Sequence, residues 1–168
     1  MSLMEADMEK KKHLPLYGVG PIYGVTIIIM TVIGITLSEK GYFSSGQYDF
    51  LKGPFLGIGI ILIAFGIVIW FAAAVFAKID SNILDNRLVT TGIYAYVRNP
   101  LYSAFMIVCT GTVLCFNNLW LLILPITYWT FMTALMKSTE EKWLKELYGQ
   151  EYINYCKNVN RCIPWFKR

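Results

Sequence analysis

The sequence predicts an all-α integral membrane protein. About four transmembrane helices, the third and fourth a tight helical hairpin, lead into a cytoplasmic C-terminal helical tail. Three observations carry this. The 168-residue chain is 56% hydrophobic and only 15% charged, against roughly 25% charged for a soluble domain. Its apolar residues gather in four blocks, 16–37, 54–77, 100–116 and 118–136, which contain no Asp, Glu, Lys, Arg or His. Crossing the hydrocarbon core takes about 20 mostly apolar residues, with a range of about 17–25, and each block fits. Finally, thirteen of the fifteen Lys and Arg residues fall on one side of the spans those blocks imply.

The elements follow in order. Residues 1–15 form a tail with Lys10, Lys11 and Lys12. Lysines before an apolar run imitate a signal peptide, but this run exceeds the usual 7–15 residues and no small-residue cleavage site follows, so it reads as a span. Residues 16–77 hold the first two spans. Gly18, Gly20, Pro21 and Gly24 make the start of the first irregular. Residues 78–99 form a loop with Lys78, Arg87 and Arg98, as well as Asp80, Asp85 and Asn86. Residues 100–136 form the hairpin. Its turn, Asn117-Asn118, suits residues that tolerate left-handed backbone, and Pro125 is expected to kink the fourth span. Residues 137–168 form the tail. "STEEKWLKELYG" reads as a helix continuing the fourth span, with Trp143, Leu144, Leu147 and Tyr148 as an apolar stripe and Glu141–Lys145 as an i, i+4 pair. Gly149 is a natural stop, after which "QEYINYCKNV" resumes a short helix. Positive residues stay cytoplasmic, which puts both termini and the 78–99 loop in the cytoplasm, leaving only Lys40 and Lys52 outside. All 168 residues then form one membrane domain in a multi-pass protein of a prokaryotic plasma or inner membrane, or of the endoplasmic reticulum.

Composition also excludes. The net charge of +4 is what a positive-inside membrane protein accumulates, and no basic stripe with interleaved aromatics marks a nucleic-acid surface. The four cysteines have no CxxC spacing and the single histidine, His13, lies in the first tail. No His-based metal site or Ser-His or Cys-His catalysis is expected.

The chemistry-bearing residues gather at the cytoplasmic ends. In "YAYVRNPLYSAFM", Pro100 suits the first turn of a helix, where its missing N–H costs nothing. Asn99 is placed to cap that end. Arg98 can snorkel at headgroup depth beside Tyr94, Tyr96 and Tyr102 as a simple aromatic and basic anchor. Glu140 and Glu141 follow the last apolar turn of the fourth span, and the hairpin returns them to the depth of Arg98. A solvated helix face is the plain alternative for that acidic pair. Tyr152, Tyr155, Arg161 and Pro164 follow in the tail. Gly57 and Gly59 make a GxG in the second span, but Gly18-Val19-Gly20 repeats the pattern, and close helix packing accounts for small residues there.

"GIYAYVRNPLY", then two spans, then "EEKWLKELYGQEYINYCKNVNRCIP" resembles the integral-membrane methyltransferases. That superfamily contains the isoprenylcysteine carboxyl methyltransferases and the phospholipid N-methyltransferases. The resemblance covers 88–164. Gly92, Tyr94, Arg98, Pro100 and Tyr102 match a GxYxxxRxPxY element. Glu140, Glu141, Leu144, Gly149, Tyr152, Tyr155, Arg161 and Pro164 match EExxLxxxxGxxYxxYxxxxxRxxP. The isoprenylcysteine enzymes usually read Arg-His-Pro where this chain has Arg98-Asn99-Pro100.

The resemblance implies S-adenosylmethionine as donor, S-adenosylhomocysteine as product, and a lipophilic acceptor reaching the site from the bilayer. It implies a cofactor site containing Gly92, Tyr94, Asn99, Pro100, Tyr102, Glu140, Glu141, Tyr152 and Tyr155. Arg98, Glu141 and Arg161 become the candidate catalytic residues, either arginine orienting an acceptor carboxylate or phosphate. The reaction needs no metal. An isoprenylcysteine carboxylate is the first expectation for the acceptor, with a phospholipid amine or a small thiol as alternatives. A small transporter or scaffold is the non-enzyme rival, and the spans lack the ionisable residue that proton-coupled transport uses.

Overall fold

The computed structural model describes residues 18–76 and 88–164. Lys10–Lys12, His13, Lys78, Asp80, Asp85, Asn86, Arg87, Lys167 and Arg168 lie outside the described residues.

Five helices form. α1 is Gly20–Glu39, with Pro21 in its first turn. α2 is Asp49–Phe71 and ends in a π-helical turn, Ala72–Phe76. It begins five residues before Pro54, the expected start, because proline is tolerated in an early turn. α3 is Pro100–Cys115, α4 is Ile123–Ser138 after a 3-10 turn Leu119–Leu122, and α5 is Glu140–Asn158. Three segments, Gly20–Glu39, Asp49–Ala74 and Leu119–Ser138, are long and apolar enough to cross a membrane. α3, the fourth apolar segment, is shorter. Its 16 residues span about 24 Å at 1.5 Å per residue, short of the roughly 30 Å hydrocarbon core. Pro100 fixes its start, and Asn117 at φ 48° ends it in the left-handed conformation expected of the hairpin turn.

α3 is the hub, since α1, α2 and α4 all pack on it. α3 packs beside α4 as the hairpin requires, and its most extensive packing is with α2. Glycine explains this. A Cβ at Gly59 would lie 2.7 Å from the Gly111 carbonyl, one at Gly111 2.6 Å from the Gly59 carbonyl, and one at Gly66 3.0 Å from the Ala104 carbonyl. The two backbones meet directly, as small residues allow in membranes. Gly57 has nothing within 4 Å, so only half of the GxG does this work.

On the opposite face of α3, Tyr23 and Ile27 of α1 pack with Met106 and Cys109 of α3 and with Tyr128, Met132 and Met136 of α4. The Thr31 and Tyr128 hydroxyls share a hydrogen bond of 2.7 Å, which satisfies both in this apolar layer. At the end away from α5, Asn118 Nδ2 donates to Ser38 Oγ (2.7 Å) and to the Phe43 carbonyl (3.0 Å), tying the hairpin tip to the first loop.

Pro125 lies in the first turn of α4, directly after the 3-10 turn Leu119–Leu122. One local expectation changes. The tail helix does not continue α4. Thr139, at φ −125° and ψ −91°, leaves helical geometry, and its Oγ1 donates to the Leu135 carbonyl at 2.6 Å. The break turns α5 across the end of the bundle. Gly149, at φ 51° and ψ −125°, interrupts α5 where the sequence predicts a stop, and a short helix resumes after it as expected.

Replacing Gly59 by valine should lower the stability of the detergent-solubilised protein by about 1–3 kcal/mol through overpacking. Gly57→Val should leave the thermal midpoint almost unchanged, because open space surrounds that position.

Candidate active site

The mouth of α3 and the tail meet in a short extended contact. Val97 and Asn160 form an isolated parallel bridge, and the Arg98 N–H donates to the Asn160 carbonyl at 2.8 Å. The Asn160 side chain accepts from the N–H groups of Cys162 (3.0 Å) and Ile163 (3.1 Å), which closes the turn after Arg161. Asn99 does not cap α3 as expected. Its Nδ2 donates instead to the Arg161 carbonyl at 3.2 Å, so the tail engages the side chain that would have capped the helix. Pro100 is buried at the first position of α3.

These contacts bring Arg98, Glu141 and Arg161 together. Arg161 grips Glu141 with two parallel bonds, Nε to Oε1 at 2.5 Å and Nη2 to Oε2 at 3.0 Å. Arg98 Nη1 stands 3.3 Å from the same Oε1. The Arg98 and Glu141 side chains are only 8% and 7% exposed, so this is a buried cluster and not a screened surface pair. Burial pushes the Glu141 carboxyl up, but the Arg161 bonds and the charges of Arg98, Arg161 and Lys145 outweigh it and hold the group below its usual range. The Glu141 bond raises Arg161 in turn. The expected Glu141–Lys145 pair is replaced by the arginines, since Glu141 faces inward while Lys145 stays exposed. Arg98 also donates to the Tyr152 hydroxyl (3.5 Å) and to Cys156 Sγ. Its buried Nε has no acceptor among the described residues.

Glu140 belongs to a second cluster. Its Oε1 accepts from the Val19 N–H at 2.9 Å and from the Tyr102 hydroxyl. Burial raises its pKa and exceeds the opposing effect of those two donors. The neighbouring glutamates therefore have opposite electrostatics.

The aromatic residues complete the arrangement. Tyr155 donates to the Tyr94 carbonyl at 2.6 Å, and the Tyr152 and Tyr155 rings lie 6.2 Å apart. Burial raises the pKa of Tyr94, Tyr152 and Tyr155, so all three are neutral donors at physiological pH. Gly92 occupies left-handed backbone at φ 61° in the turn that carries Tyr94. Of the tail stripe, Leu144, Leu147 and Tyr148 are half-buried and Trp143 lies at the exposed edge. Sequence reasoning missed Cys156, Asn160 and the Val19 amide. Only Asn160 carried a signal, as an asparagine able to make a local turn just before Arg161.

A family model described as phospholipid methyltransferase matches residues 25–151. The chain belongs to the phospholipid methyltransferase family. The matched stretch contains Arg98, Tyr102, Glu140 and Glu141, while Tyr152, Tyr155 and Arg161 lie just beyond it. Among curated relatives, the protein-S-isoprenylcysteine O-methyltransferase of Schizosaccharomyces pombe is 40% identical over 81 residues, which is 48% of this chain and 34% of the relative. The enzyme of that name from Xenopus laevis is 32% identical over 118 residues, 66% of this chain and 41% of the relative. A probable protein-S-isoprenylcysteine O-methyltransferase of Oryza sativa subsp. indica is 28% identical over 118 residues, 66% and 61% respectively. The chain thus spans between 34% and 61% of these relatives' lengths. No solved structure matches. This family member is a multi-pass membrane protein by its apolar helices.

A group whose pKa is depressed in the folded state adds stability above its unfolded value, and that stability is lost as pH falls through the folded value. Glu141 is of this kind. Unfolding midpoints should therefore drop on acidification below about pH 4.3, and Glu141→Gln should flatten that dependence. Arg161→Met, which leaves Glu141 with Arg98 alone, should cost about 3 kcal/mol at neutral pH.

Proposed function

We propose that the protein is a membrane-embedded, S-adenosylmethionine-dependent methyltransferase acting on a lipophilic acceptor, with an isoprenylcysteine carboxylate as the first candidate. One observation carries the reading. The two halves of the methyltransferase signature, separated by two helices in sequence, converge on the buried Arg98–Glu141–Arg161 cluster. The names of the curated relatives support the carboxylate acceptor, and the family description supports a phospholipid amine as the second reading.

The residues fit the donor. Arg98 Nε is a buried N–H without an acceptor among the described residues, which suits a carboxylate. Glu140 is a half-buried carboxylate bonded to the Tyr102 hydroxyl, which suits an ammonium or ribose hydroxyl. When bound, S-adenosylmethionine supplies an electrophilic methyl group on a sulfonium. The chain's own task is to orient two substrates and exclude water. Tyr94, Tyr152 and Tyr155 supply apolar walls with neutral hydroxyls. Glu141 holds Arg98 and Arg161 in place, and the arginines in turn face an anionic group. Asn99 and Pro100 set the backbone between Arg98 and α3, and Gly92 sets the turn that carries Tyr94. A carboxylate acceptor arrives deprotonated and needs no base. An amine must lose a proton, and Glu140, whose carboxyl is raised by burial, is the base at hand. The Lys and Arg distribution supports donor access from the cytoplasm with both termini on that side.

Calorimetry on the detergent-purified protein should give saturable binding of S-adenosylmethionine and S-adenosylhomocysteine. Arg98→Ala should weaken it by about tenfold or more, the worth of a charge-assisted bond. Absence of binding by folded protein at millimolar ligand sinks the proposal. Methyl transfer from labelled donor to prenylated thiol-carboxylates, phosphatidylethanolamine and small thiols, assayed in parallel, then decides the acceptor.

A further inference from the structure

The Glu140 carboxylate is gripped from the far end of the chain. Val19, the residue that opens α1, gives its N–H to Oε1 at 2.9 Å, and the Tyr102 hydroxyl donates to the same oxygen. Among the described residues Oε2 has no partner. This is the reverse of Glu141, whose two oxygens are both taken by arginine.

Gly18 makes that grip possible. It holds φ +50°, and a Cβ there would strike Glu140 Oε1 and lie 3.6 Å from the Tyr102 hydroxyl. Three other described glycines have positive φ, Gly41, Gly92 and Gly149, and each faces open space. At Gly18 the conformational and the steric demand coincide. A Cβ at the next glycine, Gly20, would lie 3.4 Å from the Tyr102 hydroxyl, and Pro21 then fixes the first turn of α1. The "GVGP" stretch is thus wrapped around one carboxylate, whose negative charge also sits at the positive end of the α1 dipole.

We propose that the Gly18–Val19–Gly20 turn is a positioning element of the donor site. It fixes Glu140 through Oε1 so that Oε2 is presented to a cationic or hydroxyl donor of the bound ligand. The proposal rests on the methyltransferase reading and extends it to a segment outside both the 25–151 family match and the 88–164 signature. The physical gain is preorganisation. A glutamate already held in one rotamer loses less side-chain freedom on binding than one that is free.

The test is S-adenosylhomocysteine binding to the full chain in detergent, followed by calorimetry. Gly18→Ala should weaken affinity by about tenfold or more. Gly41→Ala, which strains a left-handed glycine far from the site, should leave affinity unchanged. In a Glu140→Gln background, Gly18→Ala should cost no further affinity. Equal binding by wild type and Gly18→Ala, or an undiminished loss in the Glu140→Gln background, overturns this proposal while the methyltransferase reading stands. If wild type itself does not bind, both fall. Should Gly18→Ala not fold, hydrogen exchange on wild type decides. Ligand should slow exchange across residues 18–23, and unchanged exchange there refutes the positioning role.

Discussion

A carboxylate taken out of water must find cations, and Glu141 finds two. Its bidentate bond to Arg161 and its contact with Arg98 join the start of α5, the end of the tail and the mouth of α3 at one point. A buried pair of this kind adds little net stability compared with an apolar replacement, but leaving one partner alone is costly. The tail lies across the bundle in the register that brings Arg161 to Glu141 and Asn160 to Arg98.

Everything else in the site depends on that register. With the tail in place, Tyr155 reaches the Tyr94 carbonyl and Asn99 reaches the Arg161 carbonyl. The break at Thr139 is part of the same design. A straight continuation of α4 would carry Glu140 and Glu141 away from the bundle, whereas the turn at Thr139 returns Glu140 to Tyr102 and Val19 and Glu141 to the arginines. Two adjacent glutamates on one helical turn thereby enter different surroundings, one matched by cations and the other held by neutral donors.

The membrane part serves as the platform. α3 is locked from one side by the glycine contacts with α2 and from the other by the tyrosine and methionine layer with α1 and α4. This fixes Arg98 and Pro100 at a defined depth. The lipid-facing sides of α1 and α2 remain apolar and exposed, which suits a protein whose outer solvent is hydrocarbon.

The sequence by itself determined the apolar helices, the hairpin turn and most of the residues gathered at the candidate site. Those signals are local: uninterrupted apolar runs, Asn117-Asn118, the Pro100 helix start, and signature residues at fixed spacing. Helix ends were legible only within several residues, because Pro54 and Thr139 act through backbone geometry that their neighbours decide. Only the tertiary structure decided the partners. Which cation meets Glu141, where the Asn99 amide points, and that Val19 at the start of the chain touches Glu140 near its end all depend on contacts between residues tens of positions apart. Sequence spacing encodes faces and turns. It does not encode which of several charged groups at one depth will meet, since that follows from the packing of α3 and the angle at which α5 leaves α4.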